Sequence, residues 1–208
     1  MTMSLRRRWP LTALVAGAMA VAGAVVAVPG TAGAATPATP PPCTTVASTV
    51  VQGVQIADPA CDYSGSAYTG TRFTPITNGA GAASTVYTGI LADGSAYRVE
   101  VPPDWNHTLV MYAHGYRGTG TVVYVDNPEL RSYFVDHGYA WAASSYDENG
   151  YDVGSGVIDT HDLMGAFPAI TGGPAPSSVI MSGLSMGGAI TAVEIEAYKG
   201  DFVGAMPY

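Results

Sequence analysis

Positive charge is what this 208-residue chain has least of: eight Lys and Arg residues stand against 16 Asp and Glu, and only one of the eight is a lysine. Beyond the first eight residues the cations are Arg72, Arg98, Arg117, Arg131 and Lys199, scattered and without a basic patch interleaved with aromatics. Charge repulsion therefore argues against nucleic acid or an anionic lipid surface as a partner. Charged residues of both signs make up only 12% of the chain, too few for a disordered acidic tail, while 48% hydrophobic residues suffice for one sizeable core. Cysteine is nearly absent as well. Cys43 and Cys61 are the two present, with no histidine near them and no metal-ligand spacing, so no metal and no cofactor is expected. After residue 34 no run is long and apolar enough to span a bilayer.

What is present begins with a leader. Arg6, Arg7 and Arg8 precede an apolar run from Leu11 to Val28, and Ala32-Gly33-Ala34 supplies small residues at cleavage spacing. This reads as a secretory signal peptide over residues 1–34, cleaved near Ala34 to release a secreted, extracellular product. A retained anchor is the alternative; the Ala, Gly and Val content of the run and its small-residue exit speak against a stable membrane anchor. Without residues 1–34 the chain keeps 16 acids and five bases, a formal charge of −11. Export also meets an oxidising compartment, in which Cys43 and Cys61 would pair as a disulfide; two unpaired cysteines, or partners elsewhere, are the other possibilities.

Residues 35–42, "ATPATPPP", form a Pro-rich linker. Residues 43–83 are rich in Gly, Ser, Thr and Ala and read as an irregular N-terminal extension. Patterning becomes legible from residue 84. "STVYTGIL" and "SAYRVEVP" flank Ala92-Asp93-Gly94, a β-hairpin signal, and "HTLVMYAHG" is a short, almost wholly apolar strand of the kind buried on both faces of a parallel sheet. A helix is predicted from Pro128, with Leu130, Phe134 and Val135 as its stripe and Gly138 at its end; "YAWAASSY" is a strand. An acidic, aromatic loop over residues 146–151 precedes a helix from about Val157 to Phe167, ended by Pro168. "SVIMSG" is then a strand, Met186 to Lys199 a helix, and "DFVGAMP" the start of another strand. Strands alternating with helices predict an α/β fold, a mostly parallel, doubly wound sheet with helices on both faces.

One short motif carries the chemistry. Gly183-Leu184-Ser185-Met186-Gly187 sits where a buried strand ends and a helix begins, the setting of a nucleophile elbow. A sharp turn there strains the serine backbone and leaves no room for side chains two residues before and after it, a need that Gly183 and Gly187 meet. Gly188 lets the helix pack close. Earlier, His114-Gly115-Tyr116 follows directly on the strand "TLVMY".

Together these residues resemble the α/β-hydrolase family, and the "GLSMGG" form is most similar to prolyl-oligopeptidase-like and related secreted serine hydrolases. The resemblance covers residues 84–208, taken as a partial hydrolase domain; residues 43–83 match nothing in it. It implies Ser185 as catalytic nucleophile, an oxyanion hole from the backbone N–H of Met186 and of Tyr116 or Gly115, and His114, Gly183, Gly187 and Gly188 as supporting residues. The implied substrate is a small-molecule ester or amide, or a peptide, cleaved through an acyl-enzyme.

The family order places an acid and then a histidine after the serine. All four histidines, at 107, 114, 137 and 161, precede Ser185. His107 and His137 belong to the wrong end of the sheet, and His114 is better suited to holding its loop than to taking a proton. His161, between Asp159 and Asp162, lies on a polar helix face whose side chains diverge. Glu194 and Glu196 are expected to face solvent, and Asp201 to serve a turn. The chain is therefore read as a fragment, its sheet incomplete at the C-terminus, with the acid and histidine expected beyond Tyr208. The alternative is a non-catalytic binding module or inactive remnant on the same fold.

Overall fold

The computed structural model describes residues 40–208, so the signal-peptide reading and most of the Pro-rich linker lie outside the described residues. In chain order the elements are β1 (Thr49–Val51), β2 (Val54–Ile56), β3 (Cys61–Tyr63), β4 (Tyr68–Arg72), β5 (Thr85–Ile90), β6 (Ala96–Val101), β7 (Thr108–Ala113), β8 (Val122–Val123), α1 (Arg131–Asp136), β9 (Ala140–Ser144), α2 (Val153–Thr171), β10 (Ser178–Gly183), α3 (Met186–Ala197) and β11 (Gly204–Pro207).

Six strands make the main sheet, in the order β11-β10-β7-β9-β6-β5. The β5–β6 hairpin turns on Gly94, whose φ of 103° only glycine adopts freely; the Leu91 N–H donates to the Ser95 carbonyl at 2.8 Å and the Gly94 N–H to the Leu91 carbonyl at 3.1 Å. β6 meets β9 antiparallel, while β9, β7, β10 and β11 run parallel to one another. After β7 the chain crosses to β9 on one side; after β9 it crosses back to β10 on the other. The carboxyl ends of β7 and β10 thus flank the point where strand order reverses, the place where open α/β sheets hold ligands.

Side-chain alternation sorts the core into two faces. Leu109, Met111 and Ala113 of β7, with Ala140 and Ala142 of β9, pack beneath Leu163 and Phe167 of α2 and Ile190 of α3. Val110 and Tyr112, with Trp141 and Ala143, face Phe134 and Val135 of α1 together with Ile56, Phe73, Val123 and Val125. Segment 43–83 is therefore a wall of the second face. It also holds four short strands where irregular chain was expected, because each is only three to five residues long and too brief to show a period in sequence.

Two buried charges in β6 fasten that wall. Arg98 pairs with Asp62 at 2.8 Å and donates to the Pro59 and Cys61 carbonyls and to Asn127. Glu100 accepts from Arg131, the Trp141 indole, the Ile76 N–H and the Ser84 hydroxyl. Charges this deep persist only when every lone pair and proton is met. Cys43 and Cys61 are joined in a disulfide.

Three helix expectations need correction. α1 starts at Arg131, three residues after Pro128, since Pro128 to Leu130 form a turn and Leu130 is exposed. α2 begins earlier, at an Asp152 cap that accepts the Ser155 N–H at 3.0 Å, and runs through Pro168 to a left-handed Gly172. A proline in the last turn forfeits one hydrogen bond and is tolerated there by the tertiary packing of Phe167. α3 ends at Ala197 rather than Lys199.

Candidate active site

Ser185 occupies the turn between β10 and α3 with φ 57° and ψ −114°, a left-handed conformation that a residue bearing a side chain adopts only under constraint. Hydrogen bonds supply the constraint. The Leu184 N–H reaches the Ala113 carbonyl at 3.2 Å, the Ser185 N–H the Tyr208 carbonyl at 2.6 Å, and the Gly187 N–H the Leu184 carbonyl at 2.8 Å. Sterics complete it. A Cβ on Gly183 would overlap the Gly187 backbone, and one on Gly187 would overlap the Ala113 carbonyl and lie 2.9 Å from the His114 carbonyl oxygen. Gly188 is less confined, its nearest neighbour for such a carbon being the Tyr208 carbonyl oxygen at 3.2 Å. The Ser185 side chain is left exposed at the carboxyl end of the sheet.

The loop after β7 lies against this turn. A Cβ on Gly115 would sit 3.1 Å from the Leu184 carbonyl oxygen and 3.3 Å from the Ser185 Cβ, so glycine lets the two loops approach closely. No acceptor among the described residues meets the N–H groups of Gly115, Tyr116 or Met186. Structure thus brings together Ser185, Met186, Gly115 and Tyr116, with His114, Gly183, Gly187 and Gly188 around them. Cys43 and Cys61 stand apart, in the N-terminal wall.

His114 is buried under this loop. Its ring stacks on Tyr146 at 3.9 Å, its Nδ1 is 2.7 Å from the Gly115 carbonyl oxygen, and the Tyr146 hydroxyl donates to its own carbonyl at 3.1 Å. Burial first, and then the Arg117 guanidinium, push its pKa down to about 3. Burial likewise raises the Tyr146 phenol, keeping it a neutral donor. A cleft of about 450 Å³ opens beside Gly115 and Leu184, with Tyr112, Asp126, Glu129 and Arg117 on its walls.

The other histidines are elsewhere. His107 and His137 are exposed, the first preceding β7 at the far end of that strand and the second donating from Nδ1 to the Tyr133 carbonyl at 2.8 Å. His161 pairs with Asp201 at 3.0 Å and stacks on Tyr198, so Asp201 does more than turn the chain. Asp159 points inward and accepts the Asp147 N–H at 2.7 Å; burial raises its pKa to about 7. Glu194 is the clear correction. It is fully buried instead of solvated, both carboxyl oxygens lack a partner, and burial followed by repulsion from Asp201 and Asp162 raises it to about 8.

Sequence reading missed Arg117, Ser145 and Tyr146 as parts of the site. An arginine two residues beyond Gly115 in a chain so poor in cations was the available signal for the first. Tyr146, a tyrosine at φ 59°, had none. Among the described residues no group of three or more His, Cys, Asp or Glu could hold a metal ion, and no helix is long and apolar enough to cross a membrane.

No family model matches the chain, and no curated protein matches it in sequence. Among solved structures it is similar to an acetyl xylan esterase from Aspergillus awamori (17% identity, 58% of this chain and 50% of that one, TM-score 0.44). It is also similar to a thermostable carboxyl esterase from Bacillus coagulans (15% identity, 59% and 43%, TM-score 0.44) and to a variant of the rice cell wall degrading esterase LipA from Xanthomonas oryzae (18% identity, 65% and 47%, TM-score 0.43). The chain spans half or less of the length of these structures. With its mixed, mostly parallel six-strand sheet, its crossover about β7 and its strand-to-helix turn at Ser185, the chain has an α/β fold of the α/β-hydrolase type.

Proposed function

We propose that the protein is a secreted serine hydrolase, an esterase, amidase or peptidase, that forms an acyl-enzyme on Ser185. The observation that carries the reading is the Ser185 backbone at φ 57°, exposed between β10 and α3 and in van der Waals reach of Gly115. A serine so placed meets a carbonyl carbon from solvent, while the N–H groups of Met186 and of Tyr116 or Gly115 receive the oxygen as it becomes negative. Each such donor is worth on the order of 3 kcal/mol in comparable sites. The signal peptide read from the sequence and the Cys43–Cys61 disulfide would both fit export.

On this reading none of the four histidines is the base. A second reading, a non-catalytic module on the same fold, is favoured by that one observation: His114 has both ring nitrogens engaged and His161 is held by Asp201. A fluorophosphonate probe separates the two. Full-length protein is expected to label at Ser185 and to lose labelling in Ser185→Ala; a folded full-length protein that stays unlabelled removes the enzyme reading.

A further inference from the structure

Arg117 is a cation in a cation-poor chain, yet its side chain is only 10% exposed. Burial of an arginine needs partners in a matching fork. Its Nη1 donates to Asp126 Oδ2 at 3.0 Å, its Nη2 to the Ser145 carbonyl at 3.2 Å and to His114 Nε2 at 2.9 Å, and its Cζ lies 3.8 Å from the centroid of the Tyr124 ring.

A guanidinium only donates, so the His114 Nε2 facing it must offer a lone pair. The imidazole proton then sits on Nδ1, where it donates to the Gly115 carbonyl at 2.7 Å. The opposite tautomer would let Nε2 donate to the Ser145 carbonyl, 3.2 Å away, but that oxygen already accepts from Arg117 Nη2, and the same ring would set an N–H against the arginine donors and a lone pair against the Gly115 oxygen at 2.7 Å. Burial and the neighbouring guanidinium hold the ring neutral down to about pH 3, so this arrangement does not titrate away in the neutral range.

The Gly115 carbonyl and the Tyr116 N–H belong to one trans peptide, in which they point in opposite directions; no described peptide is cis. Fixing the carbonyl on His114 therefore fixes the N–H.

We propose that Arg117 is a positioning residue: anchored on Asp126 and Tyr124, it holds His114 in the Nδ1–H tautomer, and that tautomer turns the Gly115–Tyr116 peptide so that the Tyr116 N–H stays free as an oxyanion donor beside Ser185. The purpose rests on the serine-hydrolase reading above; the tautomer does not.

The test has two independent readouts on full-length protein. Nitrogen-15 NMR of the His114 ring is expected to show the proton on Nδ1 and no titration between pH 5 and pH 8; a proton on Nε2, or titration in that range, overturns the proposal. Arg117→Met is expected to mix the tautomers and slow fluorophosphonate labelling of Ser185 roughly 10- to 100-fold, with kcat on a p-nitrophenyl ester falling and KM little changed. Arg117→Lys, which keeps one donor toward Nε2, recovers part of the rate. A folded Arg117→Met protein with unchanged tautomer or unchanged labelling overturns the proposal. A wild type that never labels removes the serine-hydrolase reading, and with it the oxyanion purpose, even where the ring carries its proton on Nδ1.

Discussion

Glu194 sits in the last turn of α3 with no exposed surface and no partner for either carboxyl oxygen. Buried carboxylates without partners neutralise rather than stay charged. Burial, then the nearby Asp201 and Asp162, raise this group from 4.5 to about 8, so at pH 7 it is folded as the neutral acid. The folded chain holds a proton that the unfolded chain releases above its ordinary pKa. Stability from this group is thus fully present below about pH 4.5 and is lost as pH rises toward about 8, at most about 5 kcal/mol across the whole interval. Glu194→Gln keeps the shape, cannot ionise, and pays a desolvation cost that does not depend on pH. The difference in unfolding free energy between variant and wild type is expected to move in favour of the variant by about 1.4 kcal/mol per pH unit from pH 5 to 8 and to level off above. Urea unfolding of both proteins at half-unit steps from pH 5 to 9 measures it. A difference that stays flat would mean that the carboxylate is solvated or paired, and the burial argument would be wrong.

The elbow glycines are not equivalent. Gly187→Ala drives a carbon into the Ala113 carbonyl, a backbone atom in the central strand, and is expected to cost about 3 kcal/mol or more, whereas Gly188→Ala, with 3.2 Å to its nearest atom, should cost under about 1; thermal melts of the pair would show it, and equal losses would refute the packing account. The disulfide closes a loop between residues 18 apart, so Cys43→Ser with Cys61→Ser should lower stability by about 3 kcal/mol in chemical unfolding. Unchanged unfolding after reduction of the wild type would show that the N-terminal wall is held by Arg98 and Glu100 without the bridge.

The centre of the main sheet was readable because β7 and β9 are buried on both faces and therefore almost continuously apolar, as in "TLVMYA", and because helices between the strands were bounded by glycines. The N-terminal wall was not. Its strands are three to five residues long, and their place is set by partners far away in sequence: Arg98 holds Asp62 and the Cys61 carbonyl, and Glu100 holds Ile76 and Ser84. Arg98 and Glu100 look like the polar side of an ordinary edge hairpin. Only the tertiary structure shows that this side is covered.

The same contrast runs through the site. Ser185 and its glycines form one local motif whose sterics can be reasoned from spacing alone, so their juxtaposition was legible. The placement of Glu194 was not, since a helix of Ile, Thr, Ala, Val and Glu packed by α2 offers little polarity contrast between its faces, and the acid was assigned to solvent by residue type. Arg117 failed to stand out for the converse reason. Its partners, Asp126, Ser145 and the His114 ring, come from three separate loops that meet only when β7 and β9 pair in parallel. A local motif can name the atom that attacks. The groups that aim its surroundings are supplied by the topology, and in this chain they converge at the reversal of strand order between β9, β7 and β10.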